Sequence, residues 1–253
     1  MEVIEAKRVS QRFTAAAHTY DQHAAAQQRI CAHLLAMLRQ QHPLHFQRVL
    51  EIGCGSGGFT RLLQAEGEVG EWCLNDLCES WSSELSKHLE HAHWRWLGGD
   101  AERLAFPGSF DLIASANALQ WMRELPAFLR RLSASLAPQG LLLFNLFTSD
   151  NLLEIKAITG QGLTYPSPSA VQSWLEKEYR ILRMEKERIV LTFADPMEVL
   201  RHLKYTGVTA NATGVWTKGK QAHFCEAYRE RFVTAEGKVT LTYAPLYLLA
   251  SKS

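Results

Sequence analysis

Apolar residues along this chain form short runs that alternate with longer stretches at helical spacing. Val49–Ile52, Gly70–Leu74, His93–Leu97, Phe110–Ser115 and Leu141–Phe147 are compact runs bounded by glycine, proline or acidic residues, and they read as buried strands. Between them, Phe59–Glu66, Ser80–His91 and Leu125–Leu136 read as helices; in the last, Leu125, Phe128, Leu129, Leu132 and Leu136 share one stripe. Pro138-Gln139-Gly140 reads as a turn before the fifth strand. Strands alternating with helices predict a mostly parallel, doubly wound α/β sheet with right-handed crossovers and helices on both faces. Upstream, residues 8–41 read as helical, with Ile30, Leu34, Leu35 and Leu38 in register and His42-Pro43 as the stop.

Beyond residue 148 the pattern changes. Residues 149–180 read as helix and loop broken at Pro166 and Pro168, Tyr179–Leu191 alternates like a strand, and Pro196–Lys204 and His223–Phe232 read as helices. Residues 206–220 are rich in Gly, Thr, Ala and Asn and read as loop, and Lys238–Ala250 reads as one long strand or a strand pair. The expected organisation is an N-terminal helical lid over 1–46, a ligand-binding core over 47–148, a cap inserted over 149–235, and strands over 236–253 that close the core sheet.

Composition narrows the function. A chain of 253 residues with 47% hydrophobic residues can bury a sizeable core. A net charge of +1 argues against a strongly basic nucleic-acid binder. There is no run of 18 apolar residues and no apolar signal core near Met1, so a cytoplasmic, soluble protein without a membrane span is the expectation. Five cysteines (Cys31, Cys54, Cys73, Cys78 and Cys225) make no CxxC pair, and ten histidines show no ligand spacing; neither a disulfide framework nor a metal is expected.

The chemistry begins at Val49-Leu50-Glu51-Ile52-Gly53-Cys54-Gly55-Ser56-Gly57-Gly58. An apolar run ends in glutamate, and glycine then falls at alternate positions, as in a strand feeding a tight turn whose backbone N–H groups can approach a ligand. Gly53-x-Gly55-x-x-Gly58 matches the dinucleotide fingerprint, and Glu51-x-Gly53-x-Gly55-x-Gly57 resembles the first motif of class I S-adenosylmethionine (SAM) methyltransferases. Later strand ends separate the two. Asp76, 18 residues after Gly58, can accept both ribose hydroxyls, with Leu77 beside it. Asp100 can accept the adenine amino group while the Ala101 N–H donates to a ring nitrogen. Asn117-Ala118-Leu119-Gln120-Trp121 follows the fourth strand. A dinucleotide enzyme gives the last two segments no set role. Both resemble later methyltransferase motifs, as does Leu136-Ala137-Pro138-Gln139-Gly140-Leu141, so residues 47–147 resemble the Rossmann-like core of those enzymes. That resemblance implies SAM as cofactor, S-adenosylhomocysteine as product, and Asn117 and Gln120 among the cofactor contacts.

The flanks carry the acceptor. Arg12-Phe13-x-x-Ala16-Ala17-x-x-Tyr20-Asp21-x-His23-Ala24-x-x-Gln27, Leu200-Arg201-x-Leu203-Lys204-x-Thr206-Gly207-Val208 and Leu241-Thr242-Tyr243 together resemble the malonyl-acyl-carrier-protein O-methyltransferases of biotin synthesis. The resemblance implies methyl transfer to the free carboxylate of a malonyl thioester, on an acidic acyl carrier protein or on CoA. A carboxylic acid of pKa near ~4 is already ionised at neutral pH, so no general base is expected. Tyr20 is expected to position the methionine part or face the sulfonium, and Gln27 to bind the methionyl carboxylate. Arg201 is the candidate clamp for the malonyl carboxylate, with His202, Lys204 and Trp121 as further substrate contacts. Residues 201–231 hold Arg201, Lys204, Lys218, Lys220, Arg229 and Arg231 against Glu226 and Glu230, a local excess of four positive charges suited to an acidic carrier. Two other readings stay open: a methyltransferase of another small acid or a quinone precursor, and a non-catalytic partner-binding protein that keeps the SAM fold.

Overall fold

The computed structural model describes residues 10, 11, 13, 14, 19–207 and 217–253; Arg12, Ala16, Ala17, Val208 and most of the expected 206–220 loop lie outside them. Seven strands form the main sheet: β1 (His45–Ile52), β2 (Glu68–Asp76), β3 (Trp94–Gly98), β4 (Phe110–Ser115), β5 (Leu136–Phe147), β6 (Tyr179–Lys186) and β9 (Pro245–Lys252). Their order is β3-β2-β1-β4-β5-β9-β6. The strands β1 to β5 pair in parallel, and β9 runs antiparallel to both of its neighbours. A separate antiparallel pair joins β7 (Ile189–Phe193) to β8 (Val239–Tyr243). The helices are α1 (Tyr20–His23), α2 (Ala25–Gln41), α3 (Gly58–Glu66), α4 (Ser80–Ser86), α5 (Leu125–Ala134), α6 (Leu153–Thr159), α7 (Pro168–Leu175), α8 (Pro196–Tyr205) and α9 (Lys218–Phe232).

The main strands are apolar at successive positions because the sheet is covered on both sides. On one face Val49, Trp72, Leu141 and Tyr247 pack with Leu34 and Leu38 of α2 and Phe59 and Leu63 of α3. On the other, Leu50, Ile113 and Phe144 pack with Phe128 and Leu132 of α5 and Val171 and Leu175 of α7. Helix starts follow local chemistry. Ser167 caps α7 by accepting from Ala170 N, and Asp195 caps α8 by accepting from Met197 N and Glu198 N, each with a proline at the first helical position.

The structure departs from the sequence reading at several places. The N-terminal helical stretch breaks at Ala24 (φ −86°, ψ 34°), which separates α1 from α2. The expected Ser80–His91 helix ends at Ser86; beyond it, short turns keep Leu89 buried while the chain bends toward β3. The Pro138-Gln139-Gly140 turn lies within β5, where pairing jumps from Phe110 with Leu136 to Leu112 with Leu141 and Gln139 takes φ +62°. This is a bulge that absorbs the extra residues. Tyr179–Leu191 is two strands in two sheets. The strands also cross the expected cap boundary: β6, read as cap, edges the main sheet, and β8, read as a closing strand, pairs with β7. Alternation marks a strand but says nothing of its partner.

A buried carboxylate ties α6 to β8. Glu154 on α6 accepts from the hydroxyls of Thr240 (3.2 Å) and Thr242 (2.7 Å) and from the Thr242 backbone N–H (2.9 Å). Its truncation leaves these donors unpaired in a buried place. Glu154→Ala is expected to lower unfolding stability by roughly 2–3 kcal/mol, read as a lower urea midpoint; an unchanged midpoint contradicts this anchoring.

Candidate active site

The sheet order reverses at β1, whose neighbours β2 and β4 lead the chain away in opposite directions, so a crevice opens beyond the carboxyl ends of these strands. Two glycines shape its rim. Gly53 has φ +67°, and a Cβ there would lie 2.3 Å from the Ala118 Cβ; Gly55 has φ +52°, and a Cβ there would project into open space. The first glycine lets the loops after β1 and β4 touch, and the second keeps ligand space clear.

Carboxylates bind this loop together from beneath. Asp76 accepts from Gly55 N (2.9 Å) through Oδ2 and from Cys78 N (2.8 Å) through Oδ1. Glu51 is buried at the end of β1 and accepts from the Thr60 hydroxyl at 2.6 Å. Burial pushes the Glu51 pKa up to about 8, opposed by the Thr60 bond and reinforced by the Asp76 charge. Burial likewise raises Asp76 to about 6, against the pull of its backbone donors.

A cavity of about 430 Å³ occupies the crevice. The first strand and its turn give it Glu51, Gly53 and Gly55; the end of β2 gives Asp76 and Leu77; the segment after β3 gives Asp100 and Ala101. Asn117 and Trp121 enter from beyond β4, and Tyr20 and Gln27 from the N-terminal helices. Asn117 stands in the left-handed region (φ +60°), with its N–H bound to Asn145 Oδ1 at 2.8 Å.

The N-terminal segment is fastened over this cavity by a residue to which the sequence reading gave no role. Asp21 accepts from the Ser56 hydroxyl at 2.5 Å and pairs with Arg61 at 3.2 Å, and Arg61 also donates to the Ser56 carbonyl. Aromatic rings continue the cover: Tyr20 meets Trp81 edge-on at 6.2 Å and Phe13 at 6.3 Å, and Phe13 meets Trp121 edge-on at 6.0 Å. Phe13 and Asp21 lay inside the N-terminal string that signalled the family; Trp81 and Arg61 carried no signal beyond their elements.

A smaller cavity of about 30 Å³ adjoins the first and shares Phe13, Tyr20, Gln27, Asn117 and Trp121 with it. Gln120, expected beside the cofactor, lines this space and not the larger one, together with Tyr165, Thr206 and Tyr243 from the cap side. The expected substrate cations do not line either cavity. The Arg201 side chain is 55% exposed and lies 3.6 Å from Glu198, so this arrangement gives it no carboxylate to clamp within the site. Lys204, Lys218 and Lys220 are exposed. His202 is buried, 2.8 Å from the Tyr243 hydroxyl, and burial depresses its pKa to about 4. It therefore braces Tyr243 as a neutral ring and lines neither cavity. The reason is helical phase: Arg201 and Lys204 face solvent while His202 and Thr206 face inward.

The larger cavity fits a cationic nucleoside bearing an amino acid. The Oε1 of Gln27 and Oδ1 of Asn117 are buried acceptors without partners, suited to an ammonium group, and Asp76 and Asp100 are placed for ribose and base donors. Among the described residues no group of three or more His, Cys, Asp or Glu is placed to hold a metal ion.

This sheet order, with one antiparallel strand set between two parallel ones and a glycine turn at the point of reversal, defines the Rossmann-like fold of the class I SAM-dependent methyltransferases. A family model described as a methyltransferase domain matches residues 49–140. The chain resembles a putative methyltransferase from Bacillus halodurans (TM-score 0.63, 15% identity, 87% of this chain and 97% of that one). It also resembles the magnesium protoporphyrin IX methyltransferase of Synechocystis with bound S-adenosylhomocysteine (TM-score 0.56, 15% identity, 89% and 83%). A curated relative from Porphyromonas gingivalis, a malonyl-[acyl-carrier protein] O-methyltransferase, is 43% identical over 98% of this chain and 96% of its own length. The chain belongs to the malonyl-[acyl-carrier protein] O-methyltransferase family.

The raised carboxyl pKa values have a consequence for stability. Between the ordinary carboxylate range and pH 8 the folded, unliganded protein holds the Glu51 proton that the unfolded chain has released, so stability falls as pH rises. Asp76 acts in the same direction below about pH 6. The thermal midpoint of the unliganded protein should fall from pH 5 to 8, and Glu51→Gln should remove the slope above pH 6; a slope kept in that variant refutes the assignment.

Proposed function

We propose that this chain transfers the methyl group of SAM to the free carboxylate of a malonyl group carried on acyl carrier protein, giving the methyl ester that primes pimeloyl synthesis for biotin. The observation that carries this reading is the reach of the likeness to the Porphyromonas gingivalis enzyme, which takes in the lid and cap as well as the donor crevice. Those flanking parts build the second cavity.

Asp76 receives the ribose hydroxyls, and Asp100 with the Ala101 N–H receives the adenine edge. Gln27 takes a different role from the expected one. Its orphaned atom is the acceptor Oε1, so with Asn117 Oδ1 it suits the methionyl ammonium better than the carboxylate. Bound SAM supplies an electrophilic methyl carbon: a carboxylate oxygen bonds to it while the carbon–sulfur pair returns to sulfur. No proton moves, so the site needs no base. The Tyr20 phenol, its pKa raised by burial, stays neutral, and with Phe13 and Trp81 it excludes water from the reacting centre. The exposed Lys204, Lys218 and Lys220 on α8 and α9 supply a basic surface for an acidic carrier protein.

Three measurements test this reading. With methyl-labelled SAM, label should appear on malonyl-carrier protein and not on free malonate; absence of label from every malonyl thioester rejects the function. SAM affinity should rise from pH 6 to 8 as Glu51 ionises, and Glu51→Gln should flatten that profile. Replacing Lys218 and Lys220 together by glutamate should raise KM for the carrier substrate roughly tenfold at low salt and leave SAM binding unchanged.

A further inference from the structure

The second cavity has a composition that bears on how an acceptor carboxylate is held. Among the described residues no arginine, lysine, aspartate or glutamate lines it; its polar groups there are amides, hydroxyls and one indole. Its volume of about 30 Å³ admits about two water-sized spheres, the size of a carboxylate.

Two of its donors bear on this. The Nε1–H of Trp121 is buried and meets no acceptor. The Tyr165 hydroxyl is set by its neighbour: Asn151 Oδ1 accepts from Ala244 N at 3.2 Å, which turns its Nδ2 to donate to Tyr165 Oη at 2.8 Å. That oxygen is thus an acceptor toward Asn151, and its own proton is left to donate elsewhere. Burial raises the Tyr165 pKa to about 12, so the proton stays in place. Gln120 Nε2 gives one of its two N–H groups to the Asn117 carbonyl at 2.7 Å, and its Oε1 is a buried acceptor without a partner, so it is not counted among the free donors.

We propose that the acceptor carboxylate is recognised in this cavity by two neutral donors, Trp121 Nε1–H and Tyr165 O–H, with no cationic clamp. This rests on the methyltransferase reading above and names the specificity residues of the same site. The chemistry favours such a pair. A guanidinium would neutralise the oxygen that must attack, whereas two neutral hydrogen bonds fix its direction and leave its charge available. Selectivity is retained, because an acyl chain ending in a methyl group would leave both buried donors unpaired. Trp121 lines both cavities, so a carboxylate held there lies next to the donor site.

The test is steady-state kinetics of Trp121→Phe and Tyr165→Phe with malonyl-carrier protein, alongside calorimetric SAM binding to each variant. Phenylalanine keeps an aromatic ring at both places, and preserved SAM binding reports a folded donor site. Each variant is expected to raise KM for the malonyl substrate about tenfold with SAM affinity within twofold of wild type. Unchanged KM in both variants overturns the proposal. So does a loss of SAM affinity in Trp121→Phe, which would place that N–H in the donor site. A wild-type enzyme that labels no malonyl thioester defeats the functional reading and this inference with it, and wild-type turnover tells the two failures apart.

Discussion

The backbone of Gly53 against Ala118 is the contact on which the site depends. It presses the loop after β1 onto the loop after β4, at a distance that admits no side chain. With those loops joined, the turn that carries Gly55 and the segment that carries Asn117 and Trp121 become two sides of one cavity. Asp76 then fixes the turn by accepting from Gly55, and Asn145 fixes the facing segment by accepting from Asn117. A ligand entering here meets groups already held by bonds to the sheet, which is the condition for positioning without reorganisation.

The lid and cap use this frame in different ways. Asp21 reaches down to Ser56 and Arg61, so the lid is fastened to the donor turn itself. The cap side supplies aromatic hydroxyls whose directions are fixed from behind: Tyr243 by His202, and Tyr165 by Asn151. Gly207 and Tyr205 bring the two together, the first lying under the Phe13 ring and the second stacking on His23 at 4.6 Å. The smaller cavity therefore lies where the N-terminal segment, the loop after β4 and the segments carrying Tyr165 and Tyr243 meet.

Much of this was legible in the residues. The sheet core was readable because strands covered on both faces must be apolar at both parities, and the donor side because Glu51, Gly53, Asp76 and Asp100 mark successive strand ends in order. What stayed hidden depends on tertiary pairing. Helical periodicity places Arg201 and His202 in one string but does not say which faces the site, and the buried one is the histidine. Tyr165 sits between prolines and glycines in a segment without periodicity, and only its contact with Asn151 reveals a directed hydroxyl. The split of Tyr179–Leu191 between two sheets was hidden for the same reason, since alternation does not name a partner.

The place of β9 has a consequence for how the molecule assembles. Although latest of the strands in sequence, it lies between β5 and β6 and hydrogen-bonds to both. Until it arrives, β5 presents an open apolar edge, and β6 has no partner in the sheet. The order of synthesis therefore runs against the order of closure: the donor half can pair as it emerges, while the outer sheet waits for a strand made some sixty residues after β6. Substitutions in Leu246–Ala250, far from the reacting atoms, act on this late joining step and so on the yield of folded protein more than on the chemistry.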